Sequence, residues 1–149
     1  LNAGFVILLR DERTGQEREE IFEYRGGIRE FVELLNKNKD PVHEKVITVS
    51  GESMPEGGTT PVTVDLSLQW NSSFSEQIFC YTNNVHNRDG GTHLTGFRAA
   101  LTRVFNQYGT AQNLFKEVKG GLSGEDIREG LPAVISVKHP DPSFDSQTK

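Results

Sequence analysis

The side chains able to do chemistry are scattered along this chain. His43, His86, His93 and His139 stand apart, with neither the i, i+4 pairing nor the Cys-x-x-Cys neighbours that a protein-only metal site needs. The single cysteine, Cys80, lies between Phe79 and Tyr81, where an apolar strand buries it as a structural thiol and does not activate it as a nucleophile. Asp and Glu number 21, yet no spacing marks two of them as an acid and base pair. The sequence has no Walker A run and no Gly-x-Gly-x-x-Gly, so it carries no recognisable phosphate cradle of its own. There remains the run SFDSQTK, which sets the charge of Lys149 at its tip. Taken alone, such a polar run reads as a frayed tail.

The elements that must position these residues are legible from periodicity. FVILLRDERTGQEREEIFEYR reads as a hairpin: an apolar strand from Phe5 to Leu9, a polar turn near Thr14 and Gly15, and a second strand near Ile21 to Tyr24. GGIREFVELLNKN predicts a helix with Ile28, Phe31, Val32 and Leu35 on one face. KVITV is a short strand, and GESMPEGGTTP reads as a surface loop. VTVDLSLQW alternates strictly, with Val62, Val64, Leu66, Leu68 and Trp70 on one side. That pattern predicts one buried sheet face and one that is wet or covered by polar contacts. SEQIFCYT is expected beside it as an antiparallel neighbour.

THLTGFRAALTRVFNQY is the strongest helix, with a stripe of Leu94, Phe97, Leu101, Val104, Phe105 and Tyr108 and with Thr92 as a candidate N-cap. Ser123 and Asp126 have capping-box spacing at a second helix. AVISVK is a last strand, and HPDPSFDSQTK leaves it as a loop held open by two prolines. The order ββαβββα(α)β predicts an α+β fold, a mainly antiparallel sheet with helices on one face.

Composition narrows the function classes. The 149 residues suit one domain, and a net charge of -5 argues against a surface built to coat nucleic acid. Any DNA contact must therefore be local. The longest apolar run, FVILL, has five residues and cannot span a membrane. One cysteine fits a reducing compartment.

Three stretches, GGIREFVELLNKNK, CYTNNVHNRDGGTHLTGFRAALTR and DPSFDSQTK, closely resemble the transducer domain of the bacterial DNA gyrase B family. The likeness continues through LQWN, SGEDIREGL and AVISVKHPDP. The corresponding chain of topoisomerase IV is the near relative, although GFRAALTR is more similar to gyrase. GESMPEGGTTPV looks longer than the family's usual loop, and NQYGTAQNLFKEVKGG is diverged.

The resemblance implies a ribosomal-protein-S5-domain-2-like fold with a left-handed βαβ crossover. It implies that residues 1–149 are a single transducer domain truncated at both ends. An ATPase domain of the histidine-kinase and Hsp90-like type would precede it and bind ATP and Mg2+. Gln147 and Lys149 match the two residues of the family's Gln-Thr-Lys loop that touch the ATP γ-phosphate, and both count there as catalytic. That role is chemically sensible, since phosphoryl transfer needs positive charge and donors aimed at the phosphate oxygens. Arg98, at the border of the apolar stripe, would either be salt-bridged or line the cavity that passes DNA.

The implied partners are the gyrase A protein and DNA in an A2B2 heterotetramer, in the bacterial cytoplasm near the nucleoid. The isolated fragment is expected to be monomeric and not to hydrolyse ATP. The competing reading is a non-catalytic S5-like module that binds RNA or protein, against which the acidic charge counts.

Overall fold

The computed structural model describes residues 3–115 and 120–145. β1 (Val6–Asp11) and β2 (Arg18–Glu23) form an antiparallel two-stranded ribbon. Its apolar side chains Val6, Ile7, Leu8, Leu9 and Ile21 are all exposed. After α1 (Gly27–Asn36) come β3 (Ile47–Ser53), β4 (Val62–Leu68), β5 (Gln77–Thr82) and the short β6 (Val85–His86). Two helices, α2 (Thr92–Ala111) and α3 (Gly124–Arg128), then lead into β7 (Pro132–Lys138). The sheet order is β3-β4-β7-β5-β6.

The chain thus inserts its last strand into the middle of the sheet. β7 runs antiparallel to β4 and parallel to β5, so β5 does not sit beside β4 as its pattern suggested. The reason lies in PAVISVK, which is apolar on both of its faces and buried from Pro132 to Val137. A strand of that kind belongs in the centre, where both sides are covered. The β5–α2–β7 segment is the βαβ crossover of an otherwise antiparallel sheet. β3 also runs on through Gly51, Glu52 and Ser53, which pair with Val64, Thr63 and Val62; those residues had read as loop.

The helices do not share one face, which corrects the expectation from element order. Leu68, Ala133, Ile135 and Cys80 face α2, where Leu94, Phe97 and Leu101 pack on them. On the opposite side Val134, Phe79 and Tyr81 meet Ile28, Val32, Phe31 and Leu35 of α1. The polar face of VTVDLSLQW is thus covered at Ser67 and Gln69, which are buried, while Thr63 and Asp65 stay partly exposed. Beyond Leu101 the stripe of α2 emerges: Val104 and Tyr108 are exposed, and Phe105 is held against Trp70 at a ring separation of 5.3 Å. The physical cause is length, since a 20-residue helix spans about 30 Å and a seven-residue strand about 23 Å.

A buried amide network joins α1 to the end of β4. Asn36 Nδ2 donates to Gln69 Oε1 at 2.8 Å, Asn71 Nδ2 donates to Asn36 Oδ1 at 2.8 Å, and Gln69 Nε2 donates to the His43 carbonyl at 2.8 Å. Trp70, between them, donates Nε1 to the Ile127 carbonyl at 2.8 Å. LQWN is thus a structural knot in which each polar side chain finds a partner. Asn36→Leu would keep the branched outline of the side chain and orphan one acceptor on Gln69 and one donor on Asn71. At about 1–3 kcal/mol for each of the two buried groups left unpaired, the expected loss is roughly 2–6 kcal/mol. A urea midpoint within experimental error of wild type would refute this account of the motif.

Candidate functional site

A cleft of about 840 Å³ opens where the β5–β6 turn, the start of α2 and the segment leaving β7 converge. Asp89, Arg98, His139, Asp141, Phe144 and Asp145 are among its lining residues. The tight approach to α2 depends on Gly90, whose φ is +75° and where an added Cβ would lie 2.5 Å from Leu94 Cδ2. Thr92 is the first helical residue rather than the N-cap; that place falls to Gly91, with no side-chain cap. At α3 the expected capping box is present: Ser123 Oγ accepts from the Asp126 N–H at 3.1 Å, and Asp126 Oδ2 accepts from the Ser123 N–H at 3.0 Å. The Ser123 hydrogen bonds hold the Asp126 carboxyl below the usual carboxylate range.

Arg98 is salt-bridged. Its Nε and Nη2 donate to Glu76 Oε1 at 2.8 and 2.5 Å, while Arg128 Nε donates to Glu76 Oε2 at 3.1 Å. One carboxylate just before β5 therefore ties α2 to α3. The Arg98 side chain stays 43% exposed, against 13% for Arg128, so only Arg98 presents a charged edge to the cleft. Glu76 was not singled out from sequence, because nothing in SEQIF distinguishes it from any other strand-edge carboxylate.

Among the described residues no group of three or more His, Cys, Asp or Glu is placed to hold a metal ion. Burial lowers the pKa of His93 and so favours its neutral form, and its Nε2 has no hydrogen-bond partner among the described residues. Cys80 is buried, and desolvation pushes its thiol from 9.0 up to about 11, against a small opposing pull from Arg98. At pH 8 the native thiol should alkylate with iodoacetamide roughly 100-fold or more slowly than the unfolded chain does. The sign for stability follows. Below pH 9 both states keep the proton; between about 9 and 11 only the unfolded state loses it, so stability falls as pH rises through that window. Equal alkylation rates in native and unfolded protein would refute the assignment.

The segment that carries Gln147 and Lys149 starts at the end of β7. Asn83, in the β5–β6 turn, brackets its first residue: Nδ2 donates to the His139 carbonyl and Oδ1 accepts from the His139 N–H, each at 2.9 Å. His139 Nδ1 in turn accepts from the Asp141 N–H at 3.1 Å. Gln147 and Lys149 themselves lie outside the described residues. Asp141 and Asp145 line the described part of the cleft beside the half-exposed Arg98–Glu76 pair.

The sheet order, the βαβ crossover and the terminal segment leaving the central strand define an α+β module of the ribosomal-protein-S5-domain-2-like kind. A sequence model described as DNA gyrase B matches residues 27–149, and the chain belongs to that family. It is 47% identical over 149 residues to the DNA gyrase B subunit of Staphylococcus epidermidis, covering all of this chain and 22% of that protein. It is 46% identical over 150 residues to the Staphylococcus aureus protein, with the same coverage. The chain therefore spans about a fifth of the length of these relatives.

Among solved structures, the 43K ATPase domain of Thermus thermophilus gyrase B, in complex with an aminocoumarin, superposes with a TM-score of 0.79 at 35% identity, over 96% of this chain and 37% of that one. The topoisomerase IV ATP-binding domain of Francisella tularensis shares the fold, with a TM-score of 0.68 at 21% identity over 97% of this chain and 36% of that one. Among the described residues no helix is long and apolar enough to cross a membrane.

Proposed function

We propose that this chain is the energy-transducing domain of a DNA gyrase B protein, coupling ATP binding and hydrolysis in an upstream ATPase domain to DNA strand passage and negative supercoiling. The observation that carries the reading is the origin of the terminal arm. Residues 139–145 leave β7, the central and most buried strand, without an intervening element. A contact made at the arm's tip is thereby linked directly to the sheet core.

In this reading Lys149 and Gln147 reach the γ-phosphate of ATP held by the upstream domain. Lysine supplies a compact charge on a long stem, and the glutamine amide supplies a donor. The contact exists with ATP and disappears after hydrolysis and phosphate release, so it discriminates between two arrangements of the domains and can drive motion. The exposed apolar side chains of the β1–β2 ribbon suit packing against that same neighbour. Adenine binding, Mg2+ and the general base belong to the upstream domain; the described residues of this chain offer no cradle for them.

The partners are the gyrase A protein, which cleaves the DNA, and DNA itself, in an A2B2 assembly in the bacterial cytoplasm at the nucleoid. Gyrase is favoured over topoisomerase IV by the 46–47% identity to gyrase sequences. The exposed edge of Arg98 is where this module would meet a phosphate of the passing duplex, with the Glu76 pair fixing its orientation. The test is ATP turnover by the protein extended to include its ATPase domain, wild type against Lys149→Ala. Equal turnover would end the proposal.

A further inference from the structure

We infer that Asn83 is a positioning residue for the terminal arm: its side-chain amide extends the sheet by one step and fixes the direction in which the arm leaves β7. The inference rests on the proposed γ-phosphate role of that arm. Its observations are independent of the arm's tip.

β5 and β7 run parallel up to the pair Thr82 and Val137. There β5 turns back into β6 through Asn83 and Asn84, whose φ values of +49° and +68° are the left-handed pair of a two-residue hairpin turn. The main chain of β5 can no longer accompany β7 after this point. The Asn83 N–H still reaches the Val137 carbonyl at 2.8 Å. Its side chain then takes the place of the missing strand residue, offering one donor and one acceptor to the carbonyl and N–H of His139, both at 2.9 Å. A primary amide is the side-chain group that can pair in this way with a peptide unit.

The pin sits where the chain most needs one. Pro140 comes next and Pro142 follows Asp141, and neither proline has an N–H to give. Asp141 is turned back by donating its N–H to His139 Nδ1 at 3.1 Å. His139 is therefore the anchor of the whole arm, and Asn83 holds it by both main-chain groups.

Lys149 lies ten residues beyond His139, a reach of at most roughly 33–36 Å. Over that length a change of about 10° at the base shifts the tip by up to roughly 6 Å. A misplacement of about 1 Å in a reacting group can already cost about 100-fold. Contacts with the neighbouring domain will recover part of this loss, so the expected effect is about tenfold.

The experiment uses the full-length protein with its gyrase A partner and DNA substrate. Asn83→Gly keeps the left-handed turn and removes the amide. Asn83→Asp also tolerates that backbone, but sets a carboxylate oxygen against the His139 carbonyl. Both variants should lower kcat for ATP about tenfold, with ADP affinity and melting temperature close to wild type. In a Lys149→Ala background neither should lower turnover further, because a misaimed arm without its lysine has nothing more to lose.

Wild-type kcat in both variants, or a full additional loss in the Lys149→Ala background, overturns the pin. Losses that track melting temperature alone overturn it as well. Unchanged turnover in Lys149→Ala itself would overturn the phosphate reading and this inference with it. A loss there, with Asn83→Gly and Asn83→Asp fully active, overturns only the role of Asn83.

Discussion

Lys149→Ala, in a protein that includes the upstream ATPase domain, is expected to lower ATP turnover roughly 100- to 1,000-fold, the usual effect of removing one preorganised donor from a developing oxyanion. The loss should fall on kcat. The γ-phosphate oxygens gain from a fixed ammonium chiefly as charge redistributes in the transition state, so ground-state affinity should change by no more than about threefold. ADP, which has no γ-phosphate, should bind equally well to both proteins.

Lys149→Arg separates charge from shape. The guanidinium keeps the charge but is planar and forked where an ammonium is compact, so partial turnover is expected. Gln147→Ala should cost less than Lys149→Ala, since a neutral donor contributes less than a charged one. If the adenine pocket lies in the upstream domain as proposed, the chain by itself should show no turnover that depends on Lys149. If Lys149→Ala instead raised the KM for ATP and spared kcat, the lysine would be a binding residue, and the coupling argument would lose its switch.

How far the sequence alone led can be judged from particular residues. The amphipathic face of α1 and the Ser123–Asp126 capping box are set by neighbours within one or two turns, and both were readable. The first half of α2 was readable too, whereas its exposed last turns depend on where the sheet beneath it ends. Strand order is decided by long-range pairing. AVISVK was readable as a last strand, but only the folded sheet shows it between β4 and β5. The wrong assignment of both helices to one face came from element order alone, which does not say which face of the sheet each helix covers. Polar residues can be buried when they satisfy one another, as Asn36, Gln69 and Asn71 do.

The site was legible in proportion to the same distances. Asn83 and Asn84 hold left-handed φ values in a turn of the kind asparagine favours. The hold on His139, 56 residues further on, left no local trace. Glu76 has its partners 22 and 52 residues away, and no spacing rule connects them. Gln147 and Lys149 were found by resemblance, because a single lysine in a polar run carries no pattern of its own.

Gly130→Ala is expected to destabilise the chain by about 3–5 kcal/mol, among the largest effects a single substitution produces here. Gly130 follows the C-cap of α3 with a φ of +66°, a left-handed conformation that costs an L-residue about 1–2 kcal/mol. Strain alone does not decide the matter. A Cβ at this position would lie 2.3 Å from the Asn71 carbonyl oxygen and 2.5 Å from that of Ser73, and neither is a side chain that could swing away. Asn71 is itself anchored, donating its N–H to the Gly130 carbonyl at 2.8 Å and its side chain to Asn36. Relief of the clash must therefore disturb either the buried amide network or the entry of Leu131 and Pro132 into the central strand.

Gly130→Asn tests which term dominates, since asparagine tolerates the left-handed backbone but carries the same Cβ. If the collision dominates, both variants should lose a similar share of a total stability of order 5–15 kcal/mol. The melting temperature of each should then fall by about 10 °C, at roughly 2–4 °C per kcal/mol for a chain of this size. A fall in the alanine variant alone would assign the glycine to backbone strain. No fall in either would mean that the Asn71–Gly130 junction yields more readily than its hydrogen bonds imply.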